Sequence, residues 1–258
     1  MNQLISISPD GIKLRPTHSK MIFPVPGIGG YCLPKDGGLG VWANRHILGF
    51  EDDTFRITPL AIDINDTRSL HAAQLVRDAL RNMSVPIASA EVLILGASYR
   101  EDVGDTRYSG SEILIRRLTE MGAEIRVHDP YVDHWLQFEN QEEYPENSKS
   151  IFFRNQKKLQ DLQVQKDLKE SLKNIEALVM AVRHEAYLKL DPARIVKVAG
   201  HQIAVIDCFG ILEDDRIRQY IALGCEVKGL GKGHIKRLKD EVNKKSELTH
   251  CSLSSPNQ

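Results

Sequence analysis

The hydrophobic positions along the chain change their period near residue 85, and the change divides it. Before that point Ala72, Leu75, Val76, Ala79, Leu80 and Met83 recur at helical spacing, with Arg77, Asp78 and Arg81 on the opposite face. The pattern predicts a helix over 59–83. "NMSVP" ends it, because the residue before a proline is pushed out of helical geometry. Beyond it, short apolar runs alternate with amphipathic stretches. "EVLILGA" (91–97) predicts a buried parallel strand running into glycine. "SGSEILIRRLTEMG" (109–122) predicts a helix capped by Ser109 or Ser111, with Leu114, Leu118 and Met121 along its stripe and Gly122 at its end. "EIRVHDP" (124–130) predicts a second strand, which completes a β-α-β unit with a right-handed crossover. Further strands are predicted at 176–182, 202–208 and 225–230, with a helix over 213–224 between the last two.

Alternating strands and helices predict an α/β fold with a Rossmann-like, doubly wound parallel sheet over residues 87–240. A partial helical domain over 1–86 precedes it, and a polar, frayed tail over 241–258 follows. Residues 1–20 have no clear period, and 21–40, rich in Gly and Pro, read as a loop. Residues 135–170 are polar and charged and read as an excursion from the sheet.

Composition narrows the function classes. An apolar content of 41% supplies a sizeable core. A formal net charge of −1 argues against a broad nucleic-acid footprint. No apolar run is long enough to span a bilayer, and "MNQLISISPDG" lacks the basic flank and apolar stretch of a signal peptide, so a cytoplasmic protein is expected. The four cysteines, Cys32, Cys208, Cys225 and Cys251, form no C-x-x-C pair. Neither a metal site nor a disulfide framework is expected from them.

Two stretches carry candidate chemistry. A doubly wound sheet binds ligands beyond the carboxyl ends of its strands. The loop after the first strand, "GASYREDVGDTR" (96–107), is not G-x-G-x-x-G; Tyr99, Arg100 and Glu101 crowd the place where a dinucleotide pyrophosphate would approach. Arg100 and Arg107 flank its mouth, either to hold phosphate oxygens or to pair with Glu101, Asp102 and Asp105. "GLGKGH" (229–234) also follows a strand but reads as a turn. The other stretch is "PGIGGYCLPKD" (26–36). A lone cysteine is commonly a small buried hydrophobe. Here Gly27, Gly29 and Gly30 let backbone pass close to a ligand, Lys35 supplies a nearby positive charge suited to a thiolate, and Asp36 could orient water. Cys32 reads either as a buried thiol or as a nucleophile.

Together "PGIGGYCLPKD" and "GASYREDVGDTRYS" resemble two signatures of the UDP-glucose/GDP-mannose dehydrogenase family. The first is similar to its catalytic-cysteine loop, with Cys32 followed four residues later by Asp36. The second is similar to the first loop of its C-terminal nucleotide-sugar domain, at Gly96, Tyr99, Arg100, Asp105, Arg107 and Ser109. "VHDPYV", "AVRHEAYLKLDP" and "VIDCFGIL" follow in the expected order. Two separated motifs in sequence are more specific than either alone.

The resemblance implies an NAD-dependent oxidation of the C6 alcohol of a UDP-sugar to a carboxylate through a cysteine thioester. Cys32 would be the nucleophile and Asp36 would support hydrolysis. Gly27, Gly29 and Gly30 would wrap the sugar, Tyr99 and Arg100 would hold the nucleotide sugar, and Lys35 and Arg107 would lie near NAD. A homodimer or higher oligomer is implied, built on the helical domain, with neither nucleic acid nor membrane as partner. The chain departs from the family in several places. It reads as a C-terminal portion without the N-terminal NAD-binding domain, whose role could fall to a separate NAD-binding polypeptide. No Lys-x-x-x-Asn helix precedes Cys32. Tyr31 stands where His or Ser is frequent, Phe209 where many relatives carry arginine, and Gly110 where proline is frequent. The alternative reading is a non-catalytic nucleotide-sugar-binding or dimerisation module.

Overall fold

The computed structural model of the protein describes residues 16–18, 24–50, 56–139 and 156–253, the side chains of the last segment as far as 244. Six parallel strands form one sheet: β1 (Glu91–Leu95), β2 (Glu124–His128), β3 (Val164–Gln165), β4 (Ala177–Met180), β5 (Ala204–Asp207) and β6 (Glu226–Gly229), in the order β3-β2-β1-β4-β5-β6. Leu93 of β1 lies between Arg126 of β2 and Leu178 of β4. The chain runs outward in both directions from the β1/β4 pair. That switch point opens a crevice at the carboxyl edge.

The helices are α1 (Cys32–His46), α2 (Ile57–Asn82), α3 (Gly110–Glu120), α4 (Leu136–Glu139), α5 (Leu168–Ser171), α6 (Pro192–Ala199), α7 (Asp214–Ala222) and α8 (Ile235–Leu253). They cover both faces of the sheet. Because strand side chains alternate, Val92 and Ile94 pack with Ala72, Ala73, Val76 and Leu80 of α2 and with Leu114 and Leu118 of α3. Leu93 and Leu95 point the other way, into a second core with Ile195, Ile217, Tyr220 and Leu238. Each fully buried Leu or Ile contributes roughly 1.5–3 kcal/mol. The carboxyl half of α2 therefore shares a core with the sheet. Its last residue, Asn82, also donates to Glu226 Oε1 of β6 (2.8 Å).

Two expectations change. The 21–40 loop gives way at residue 32 to a helix. Pro34 falls in the first turn of α1, where its missing N–H costs nothing, and Gly37 lets α1 approach α2 until an added Cβ would lie 3.3 Å from Thr58 Cγ2. The expected frayed tail is helical as far as Leu253, while 254–258 lie outside the described residues. Within the 135–170 excursion, Trp135, Phe138 and Leu159 are buried and β3 joins the sheet edge; 140–155 lie outside the described residues. The "GLGKGH" stretch is the end of β6 and a turn into α8.

Candidate functional site: the cysteine loop on the sheet edge

The carboxyl edge of the sheet is organised by buried polar groups. Asp129, just after β2, accepts hydrogen bonds from the backbone N–H of Ala97 (2.7 Å), Ser98 (3.2 Å), Tyr131 (2.8 Å) and Val132 (3.2 Å). His184, after β4, is fully buried and lies 3.1 Å through Nε2 from Asp129 Oδ2. Its Nδ1 accepts from the Asp102 N–H (2.9 Å), so the proton resides on Nε2. Burial opposes the Asp129 charge, but the His184 hydrogen bond and the backbone N–H groups outweigh it and hold the carboxyl below its ordinary range.

Ser98, His184 and Asp129 have the composition of a hydrolytic triad but not its geometry. Both Ser98 Oγ (3.3 Å) and Asp129 approach the same ring nitrogen, and Ser98 Oγ donates to Arg100 O (2.7 Å). The cluster is a lock: it fixes the 98–102 turn that carries Tyr99 and Arg100. Sequence reasoning quoted "VHDPYV" and "AVRHEAYLKLDP" without singling out Asp129 or His184. An aspartate and a histidine just beyond β2 and β4, the two strands that flank β1, were the available signal.

Arg107 and Arg100 take different courses. Arg107 forms a two-pronged pair with Asp105, through Nε (3.0 Å) and Nη2 (2.6 Å). Arg100 is exposed, its guanidinium 5.7 Å from the centre of the Tyr99 ring. One arginine is thus committed to a carboxylate and the other is turned to solvent.

The cysteine loop lies against this turn. Gly30, at φ 87°, donates its N–H to Arg107 O (2.9 Å). At Gly29 a Cβ would meet Tyr108 O at 2.3 Å and Tyr99 Cβ at 2.8 Å, so only glycine fits. Gly27 packs on Asn65 and Gly110; at Gly110 a Cβ would come within 2.9 Å of Gly27 N, so the loop passes where a proline ring would clash. Cys32 is exposed at the first position of α1, which excludes the buried-thiol reading. Cys208 and Cys225 are buried, and burial pushes both thiols up.

Asp36 sits one helical turn beyond Cys32, on the same side of α1. The Lys35 ammonium is drawn chiefly to Asp36 Oδ1 (2.5 Å), a bond that raises its pKa, with Tyr31 and Cys32 acting weakly in the same direction. Tyr31 lies between two cations, with Lys35 5.1 Å and Arg107 5.0 Å from its ring centre. A seam of contacts thus joins Gly29 and Gly30 to Tyr99, Arg107 to Tyr31, and Tyr31 to Lys35 and Asp36, with Cys32 next to Tyr31 in the chain. Beside it a cavity of about 590 Å³ opens, lined by Ile28, Asn65, Asp66, Arg107 and Tyr108 among others. Among the described residues, no cluster of three or more His, Cys, Asp or Glu could hold a metal, and no helix is long and apolar enough to cross a membrane.

A family model described as "UDP-glucose/GDP-mannose dehydrogenase family, UDP binding domain" matches residues 93–214. The chain is 24% identical over 228 residues to the UDP-N-acetyl-D-mannosamine dehydrogenase of Pyrococcus horikoshii, covering 88% of this chain and 44% of that protein. It is 24% identical over 221 residues to the UDP-glucose 6-dehydrogenase of Drosophila melanogaster, covering 83% and 42%. Among solved structures it resembles the NDP-N-acetyl-D-galactosaminuronic acid dehydrogenase of Methanosarcina mazei Go1, with a TM-score of 0.70 and 26% identity over 91% of this chain and 48% of that one. The chain spans less than half the length of the curated relatives it matches. Residues 93–214, carried on the six-stranded parallel sheet, match the UDP-binding domain of the UDP-glucose/GDP-mannose dehydrogenase family, and the chain is similar in sequence and fold to nucleotide-sugar dehydrogenases.

Proposed function

We propose that this chain is the nucleotide-sugar-binding, cysteine-bearing part of an NAD-dependent UDP-sugar 6-dehydrogenase, which oxidises the C6 alcohol of a UDP-sugar to a uronic acid. Residues 1–86 supply the helical part with the cysteine loop, and 87–240 the nucleotide-sugar part. The observation that carries this reading is the seam itself: the glycine loop packs on Tyr99 and Tyr108, and exposed Cys32 begins the helix that directly follows it.

Arg100, turned to solvent, is suited to the pyrophosphate, and Tyr99 to the sugar or base. Gly27, Gly29 and Gly30 wrap the sugar, bringing its C6 to Cys32. Cys32 attacks the C6 aldehyde, forming a C–S bond; after oxidation the carbon is held as a thioester. Asp36 directs a water at that carbonyl, and the thiol leaves. Lys35 and Arg107, which meet around Tyr31, would lie near NAD when it binds. When bound, NAD supplies the oxidant for both two-electron steps. A cytoplasmic setting suits the free thiol.

Calorimetric titration of UDP-glucose into the chain tests this reading. The wild type binds; Arg100→Ala weakens binding roughly ten- to hundredfold, the loss of one charge-assisted hydrogen bond. Cys32→Ser leaves it nearly unchanged, because a nucleophile acts in chemistry more than in ground-state holding. Equal affinity of wild type and Arg100→Ala refutes the role. Absence of binding by a folded wild type favours the second reading, a dimerisation module. The exposed Leu33, Leu39, Trp42, Leu60 and Ile64 along α1 and the start of α2 support that module.

A further inference from the structure

The cysteine loop has no strand or helix to hold it between Pro26 and Gly30, yet its backbone is bonded on both sides. On one side stand the Gly30–Arg107 bond and the glycine contacts with Tyr108. On the other stand side chains of α2. Asn65 of α2 accepts from the Ile28 N–H through Oδ1 (2.7 Å) and donates through Nδ2 to Ile28 O (3.0 Å). Its amide thus meets both polar groups of a single residue, as a neighbouring strand would. One turn further along α2, Ser69 is buried, its hydroxyl 2.9 Å from Pro26 O and 2.7 Å from Gly110 O. Its single proton serves two carbonyls, one from the loop and one from the start of α3.

We propose that Asn65, assisted by Ser69, is the positioning residue of the cysteine loop: it fixes the loop against the Tyr99–Arg107 turn and so sets where Cys32 meets the sugar. This rests on reading Cys32 as the group that faces the sugar. Asn65 is a positioning residue and not a catalytic one, because its amide is spent on the loop backbone. The glycines explain why the burden falls on side chains from α2. Gly27, Gly29 and Gly30 permit the close approach but add no side-chain contact of their own and leave the backbone otherwise mobile.

The experiment has two readouts on the full chain, each in wild type, Asn65→Ala and Asn65→Asp. Hydrogen exchange in the peptides covering 26–34 reports the latch. Alkylation of Cys32 by iodoacetamide, followed by mass spectrometry with and without saturating UDP-glucose, reports where the thiol stands. Asn65 is half-buried inside α2, where alanine has the higher helix propensity, so alanine keeps the helix; Asn65→Asp keeps the acceptor for Ile28 N–H and loses the donor. In wild type, UDP-glucose slows alkylation several-fold. In Asn65→Ala, exchange at Ile28 and Gly30 quickens by about tenfold or more, as expected for lost hydrogen bonds. UDP-glucose affinity stays within roughly threefold, because Tyr99 and Arg100 are untouched, but protection of Cys32 is lost. Asn65→Asp falls between. Unchanged exchange in Asn65→Ala, or full protection of Cys32 in that variant, overturns the latch. Quickened exchange in the variant together with no protection in wild type overturns instead the reading of Cys32, and the positioning role falls with it.

Discussion

At the scale of single residues, the site depends on buried polar groups placed behind the ones that touch a ligand. His184 accepts from Asp102 and donates to Asp129, so it holds the Tyr99–Arg100 turn without reaching solvent. His184→Phe keeps an aromatic ring and removes both bonds. The expected result is a UDP-glucose affinity lowered by roughly tenfold with the sheet intact, measured by calorimetry beside circular dichroism. His128 behaves differently. Burial pulls its imidazole pKa down, with Lys166 O and Tyr187 OH as polar neighbours. The unfolded chain takes up that proton as pH falls through about 6.5, and the folded chain resists until lower pH. The contribution of His128 is therefore fully present above about 6.5 and is lost as pH falls through the folded value. Urea midpoints should drop between pH 7.5 and pH 5.5, and the drop should shrink in His128→Asn. An equal drop in the variant would assign the pH dependence elsewhere.

At the scale of elements, glycines in one short stretch play opposite parts. Gly29 is where backbone meets backbone, and Gly29→Ala forces the loop off Tyr108 at a cost of about 1–3 kcal/mol. Gly38, inside α1, faces nothing within 4 Å. Gly38→Ala should stabilise the protein by about 0.5–1 kcal/mol, since alanine suits a helix interior better. Thermal melts of the two variants should move in opposite directions. The same contrast shows what the sequence made legible. Strands β1, β2, β4, β5 and β6 and helices α2, α3 and α7 follow from apolar runs and stripes, because burial decides them. Helix α1 was hidden by Gly37, Gly38 and Gly40, whose low helix propensity is overridden by packing on α2. Helix α6 carried its signals openly, with Asp191 at the cap, Pro192 at the first position and Gly200 at φ 86° beyond the end, and only its short length concealed it. Strand β3 spans two residues, too few for any period. Of the site, Cys32 and the Tyr99–Arg107 turn were readable as motifs. Asn65, Ser69 and His184 were not, because they act on backbone brought near only by the fold.

At the scale of the whole molecule, two surfaces matter. The exposed apolar side chains of α1 and the start of α2, among them Leu33 and Trp42, present a face that water disfavours. Dimers or larger species are expected in sedimentation at micromolar concentration, and Trp42→Glu should shift them toward monomer; a clean wild-type monomer would refute the assembly. The sheet described here offers no glycine cradle for a dinucleotide, so NAD with UDP-glucose should give no reduced cofactor with this chain alone, above a Cys32→Ala control. The strand order has a temporal meaning as well. The central strand β1 pairs with β4, and Val92 meets Ala177 only after the intervening chain exists. Asn82 waits still longer for Glu226, a separation of 144 residues. During synthesis the apolar stripe of α2 thus emerges from the ribosome long before β4, β5 and β6, the later strands that complete its cover. Such distant pairings are slow to close, and the waiting stripe is open to aggregation. The nascent chain of this protein should lean on a chaperone until β6 has left the exit tunnel.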